Sequence, residues 1–194
     1  DPFTEGTTAY VTNWRKLDPR TVPIEAKAAA NYLNGMVARL ESQKKGFRHA
    51  IMLDTQGFVA EGGTESAFLV KDGSLLTPST GTVLKSITRM SILEAAAAAG
   101  IECIEKQLKP ELLADAEEIF LSSTPFKVLP VKQINDRKLP DAPGPVTRKI
   151  AELLNAIFLI LGLIGAIIII LGIFLVYNSI SAIMRQQVSQ IGVM

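Results

Sequence analysis

The chain has 194 residues with 20 basic and 19 acidic side chains, so its formal charge of +1 leaves no surplus for gripping a polyanion such as nucleic acid. Cys103 is the single cysteine, which excludes an intrachain disulfide, and His49 is the single histidine, which argues against a His-rich metal centre and a Ser-His-Asp triad. His49 itself reads as a strand-end residue ahead of an apolar run.

In chain order, residues 25–44 have helix-favouring content, with Leu33, Val37 and Leu40 on one face at helical spacing. Residues 49–53 and 58–60 read as strands flanking Asp54-Thr-Gln-Gly57, whose glycine suits a tight turn. A second hairpin follows, with strands at 67–70 and 74–77 joined by Lys71-Asp72-Gly73, a strong turn signal. Residues 86–99 predict a helix with Ser86 as N-cap and Gly100 as its end; the alanines at 95–99 serve only as helix formers. Strands are expected near 101–107, 118–122 and 128–134, and Pro143-Gly-Pro145 punctuates a last helix from about Val146.

Three positions carry candidate chemistry: Lys27 in Lys27-Ala-Ala-Ala-Asn31-Tyr32-Leu33, Glu61 in Glu61-Gly-Gly-Thr-Glu65-Ser66, and Thr88 in Ser86-Ile87-Thr88-Arg89. A lysine amine holds an aldehyde as a Schiff base, a carboxylate keeps a pyridine nitrogen protonated, and a helix start rich in hydroxyls takes a phosphate. Pyridoxal phosphate (PLP) needs all three. Between Glu61 and Glu65 the residues alone make equal candidates for the carboxylate, and on residue type alone the first reading of either is a solvated loop residue.

The order of Trp14-Arg-Lys16, Lys27 to Leu33, Gly57-Phe-Val-Ala-Glu61-Gly62, Leu76-Thr-Pro78, Ile87-Thr-Arg89 and Pro143-Gly-Pro-Val-Thr147 resembles the class IV aminotransferases over about residues 13–154. The Asn31-Tyr32-Leu33 after the lysine resembles the branched-chain amino acid group. The resemblance implies an α+β fold, the pseudo-barrel large domain of that class, and transamination of branched-chain amino acids with 2-oxoglutarate. It implies Lys27 as the catalytic lysine, first binding the cofactor and then carrying the substrate's α-proton. Glu61 is assigned to the ring nitrogen, Tyr32 to the phenolic oxygen, Ile87, Thr88 and Thr124 to the phosphate, and Thr124 with Pro125 to the substrate side. An aminodeoxychorismate-type lyase on the same fold is an alternative.

Departures accompany the match. Ser86 stands where the family usually has glycine and Ser66 where it has asparagine. Pro125 brings no N–H to a position that the family uses toward the substrate carboxylate. The family's smaller N-terminal domain, with its phosphate-gripping arginine and one pocket wall, has no counterpart ahead of Asp1, so the expectation is a fragment with weak PLP binding and impaired turnover. Complete enzymes of this kind are expected to be homodimers.

Residues 156–177 contain no charge, and 22 residues at helical rise span about 33 Å, enough for a hydrocarbon core. The expected organisation is an aminotransferase part at 1–154, a transmembrane helix at 155–177 and a juxtamembrane tail at 178–194. That tail, through Val176-Tyr-Asn-Ser-Ile-Ser181 and Arg185 to Met194, resembles FtsX-like permease subunits of ABC transporters. Arg148 and Lys149 before the helix place the aminotransferase part in the cytoplasm by the positive-inside rule, whereas the permease resemblance puts the Arg185 flank there. The conflict points to a chimaeric or misassembled reading frame ahead of a genuine membrane-tethered aminotransferase, and the functional alternative is a non-enzymatic membrane piece joined to an ABC permease segment.

Overall fold

The computed structural model describes residues 1–139 and 142–191; the last three residues of the permease-like tail, 192–194, lie outside the described residues. The chain divides into two units, Asp1–Leu154 and Asn155–Met194.

Helices are α1 (Pro2–Glu5), α2 (Tyr32–Lys44), α3 (Ile87–Ala98), α4 (Leu112–Asp115) and α5 (Pro145–Ile191). Strands are β1 (Thr7–Arg15), β2 (His49–Leu53), β3 (Val59–Gly62), β4 (Ser66–Lys71), β5 (Ser74–Pro78), β6 (Cys103–Lys106), β7 (Glu118–Ser122), β8 (Leu129–Ile134) and β9 (Arg137–Lys138). Pairing runs β3-β2-β1-β8-β7-β4, and Glu61 opposite Ser66 joins β4 back to β3. This closes a pseudo-barrel, with β5 and β6 extending from β4 and β9 from β8. Glu61 lies at the closing seam.

Local chemistry explains the hairpins. Asp54 Oδ1 accepts from the N–H groups of Gln56 and Phe58, both at 2.9 Å, and Gly57 adopts φ +92°, so β2 turns into antiparallel β3. Asp72 and Gly73 both take positive φ, 51° and 72°, the geometry that matches the twist of β4 and β5. Ser86 Oγ accepts from Arg89 N–H and caps α3, and Gly100 at φ +73° follows its end.

Both faces of β4 and β7 are buried, which is why Ala67-Phe-Leu-Val70 and Ile119-Phe-Leu121 are continuous apolar runs. Ala67, Leu69, Ile119 and Leu121 join one core with Ala9, Ile51, Val131 and Ile134. Phe68 and Phe120, stacked at 4.8 Å, face a second core with Ile92 and Ala96 of α3 and Ile150 and Leu154 of α5. The start of α5 is held by Glu118, whose two carboxylate oxygens accept from Val146 N–H (2.9 Å) and Thr147 N–H (2.8 Å).

Two sequence expectations are corrected. The helix expected from residue 25 begins only after a 3-10 turn at Ala29–Asn31, because Asn31 Nδ2 donates to the carbonyls of Pro23 and Ala26 and fixes a turn instead. Its buried face is also different: Leu33, Met36 and Leu40 are exposed, Val37 is half-buried, and Gly35, Ala38 and Ser42 face inward. The reason is closeness, since a Cβ on Gly35 would sit 2.0 Å from the carbonyl oxygen of Gly63. Strand β1, with its parallel partners β2 and β8, has no counterpart among the expected elements.

In the second unit, the side chains of α5 from Ile157 to Met184 are largely exposed. Among the described residues, Pro145–Arg185 is the one stretch long and apolar enough to cross a membrane, 41 residues with a mean hydropathy of 3.2 in its most apolar window.

Candidate active site

The mouth of the seam opens on a cavity of about 600 Å³. Lys27, Tyr32, Glu61, Ile87, Thr124 and Pro125 all line it, although they come from four separate stretches of chain. Thr88 is the next residue after Ile87, buried in the first turn of α3. Lys27 is exposed on the turn before α2, and among the described residues its ammonium has no hydrogen-bond or ion-pair partner. An amine free in this way is available to a ligand.

Glu61 is buried, so it is no solvated loop residue. Its Oε1 pairs with the Lys16 ammonium and its Oε2 accepts from Leu84 N–H at 3.1 Å. Burial pushes the Glu61 carboxyl above the ordinary carboxylate range, against the opposing pull of Lys16 and the Leu84 N–H. Glu65 is equally buried but is committed elsewhere: its Oε1 lies 3.1 Å from His49 Nδ1 and accepts from Thr64 Oγ1 at 3.0 Å, while Oε2 accepts from Thr64 N–H at 2.9 Å. Burial pushes Glu65 up, and the hydrogen bonds from His49 and Thr64 outweigh it, leaving the carboxyl below its ordinary value. Gly62 permits this fold-back, because a Cβ there would meet Glu65 Oε2 at 2.6 Å. The geometry separates two glutamates that the residues alone left equal.

At the start of α3, Ser86 Oγ is used on Arg89 N–H, so the N–H groups of Ile87 and Thr88 remain at the first turn of a 12-residue helix without an intrahelical acceptor. Arg89 behind them is 2 % exposed and clamps α3 to the sheet through Pro78 O (2.8 Å) and Glu105 (2.6 Å). Ser122 Oγ and Ser123 Oγ, at the end of β7, line the cavity buried and without a partner. Orphaned hydroxyls, free helix N–H groups and an unpartnered lysine fit a phosphate-bearing aldehyde, the group expected from the sequence. Pro125 and half-exposed Phe126 line the same end, and the proline contributes no N–H.

The sequence matches the amino-transferase class IV family over residues 2–134. The chain belongs to the class IV aminotransferases. Among curated members of the family, it is 36 % identical over 156 residues to the branched-chain-amino-acid aminotransferase of Salmonella typhimurium, covering 79 % of this chain and 50 % of that protein. The probable branched-chain-amino-acid aminotransferase of Aquifex aeolicus is 34 % identical over 151 residues, covering 76 % and 49 %. In three dimensions, the branched-chain aminotransferase of Escherichia coli superposes with a TM-score of 0.76 at 36 % identity, covering 78 % of this chain and 52 % of that one. The PLP form of the Thermobaculum terrenum enzyme gives 0.76 at 31 %, covering 78 % and 50 %. The chain thus spans about half the length of the curated relatives it matches.

The residue that sequence reasoning passed over is Lys16. It is quoted in the Trp14-Arg-Lys16 match without a role, yet it is the cation against Glu61. Only the register of β1 could have found it, since Lys16 N–H donates to Leu53 O at 2.8 Å and carries the side chain to the seam.

Proposed function

We propose that this chain is the cofactor-holding part of a PLP-dependent aminotransferase that moves an amino group between a branched-chain amino acid and 2-oxoglutarate. The observation that carries the reading is one cavity holding an unpartnered lysine, a buried carboxylate and the free N-terminus of α3. The named activities of the branched-chain relatives support the substrate class.

Pyridoxal phosphate, when bound, supplies an electron sink for charge developing at the substrate's α-carbon. Lys27 would hold its aldehyde end through Nζ, and the same Nζ would serve as the base that takes and returns the substrate's α-proton. The carboxylate of Glu61 holds a proton on the ring nitrogen by charge pairing, and the Tyr32 hydroxyl orients the phenolic oxygen. The Ile87 and Thr88 N–H groups, with the Thr88 and Thr124 hydroxyls, grip the phosphate at the positive end of α3. Thr124 and Pro125 border the substrate. As a homodimer the complete enzyme follows its family.

The apolar stretch of α5 tethers this part to a bilayer, with Arg148 and Lys149 on the cytoplasmic side. A second reading, a catalytically silent domain on a permease segment, draws on the Val176–Ser181 and Arg185–Met194 resemblance. Absorbance spectroscopy separates them. The full chain incubated with PLP is expected to gain a visible band that Lys27→Ala removes together with transamination; equal spectra for both chains would defeat the enzymatic reading.

A further inference from the structure

Lys16 and Glu61 are an ion pair in which both side chains are about nine-tenths buried, 10 % and 8 % exposed. Two charges leave water there only if each is compensated, and the compensation is lopsided. Glu61 has a second fixed donor in Leu84 N–H, whereas the Lys16 ammonium has no other hydrogen-bond or ion-pair partner among the described residues. Other charged groups lie around the same cavity: Glu25 and Lys27 from the turn before α2, Arg39 from α2, Glu65 beyond β3 and Lys85 before α3. Among the described residues, Lys16 is the one cation that touches the Glu61 carboxylate.

We propose that Lys16 is a positioning residue that holds Glu61 as an oriented carboxylate for the cofactor ring. This rests on the PLP reading above. Lys16 and Leu84 take one oxygen each, which fixes the plane of the carboxylate and leaves further lone pairs on both oxygens for a ring N–H. Without the ammonium, burial favours the protonated acid, which offers no charge to keep a pyridine nitrogen cationic. The pair joins the residue that directly follows β1 to the seam of the barrel, so ring recognition is linked to barrel closure.

The test uses the full chain and pyridoxamine 5′-phosphate, whose amine forms no link to Lys27, so that fluorescence titration reads the grip on the ring alone. Lys16→Met is expected to weaken binding at pH 7 by about 30-fold or more, with affinity recovering as pH rises and Glu61 ionises. Lys16→Arg, which keeps the charge, is expected to bind within a few-fold of the parent chain with the parent pH profile. A Lys16→Met chain that binds with parental affinity and parental pH dependence overturns the proposal. Should Lys16→Met lose its circular dichroism, the double variant Lys16→Met/Glu61→Gln removes both charges and is the folded comparison. It is expected to bind weakly at every pH, and parental binding by it overturns the proposal as well. Failure of the parent reading looks different: the unsubstituted chain then takes up neither pyridoxamine phosphate nor PLP, and the Lys16 role falls with it.

Discussion

At the scale of single residues, two buried glutamates four positions apart have been given opposite electrostatic surroundings. Glu65 is over-supplied with donors and its carboxyl lies below the ordinary value; Glu61 is under-supplied and lies above it. For Glu65 the folded form binds its proton less tightly than the unfolded chain does. Its stabilisation is therefore complete above the unfolded value of about 4.3 and disappears as pH falls through the lower, folded one. Urea midpoints of the parent chain and Glu65→Gln should accordingly differ at pH 7 and converge as the solution is acidified below about pH 4. Glu61 carries the reverse sign, so its ionisation costs stability as pH rises from the ordinary value toward the raised one. Glu61→Gln alone strands the Lys16 ammonium in the interior and is expected to lose about 3 kcal/mol, whereas Lys16→Met/Glu61→Gln should match the parent or exceed it in chemical denaturation. A single variant as stable as the double would mean that the pair does not share one buried charge balance.

At the scale of elements, α2 illustrates how closeness overrides hydrophobic patterning. Alanine favours a helix over glycine by about 1 kcal/mol, so Gly35→Ala looks stabilising on propensity. The structure reverses the sign, because the added Cβ would lie 2.0 Å from a backbone oxygen of Gly63 that has no rotamer to escape into. A net loss of about 1–3 kcal/mol is expected in urea denaturation of the full chain, with a weaker grip on PLP because Tyr32 sits on the same helix. Gly46→Ala, where a Cβ meets nothing within 4 Å, gives the control for backbone conformation alone, since its φ is +85°. The hairpins and α3 were legible beforehand because Asp54, Gly57, Asp72, Gly73, Ser86 and Gly100 act within a few residues of themselves. The apolar face of α2 and the whole of β1 were not, since Gly35 is explained by Gly63 and β1 by partners some forty and more than a hundred residues away.

At the scale of the whole molecule, the two units treat their apolar side chains differently, burying them in cores in the first and leaving them exposed along α5 in the second. The proposal of a bilayer tether predicts that the full chain floats with lipid vesicles in a density gradient and resists alkaline carbonate. Ile168→Lys with Leu171→Lys is expected to abolish both, each lysine near the centre of the span costing about 3 kcal/mol. Retention of flotation by that double variant would reject the tether. What the chain's order of residues determined alone is local or compositional: two tight turns, a capped helix, an uncharged run of helix length, and the family motifs around Lys27, Glu61 and Thr88. What tertiary structure decided is which of those groups meet. Closure of the barrel at Glu61 and Ser66 brings distant stretches of chain to one cavity, gives Glu65 to His49 and sets Lys16 against Glu61. The physical reason is that a turn or a cap is satisfied by neighbours within hydrogen-bond reach along the chain, whereas a buried charge must find its counter-ion wherever sheet register delivers one.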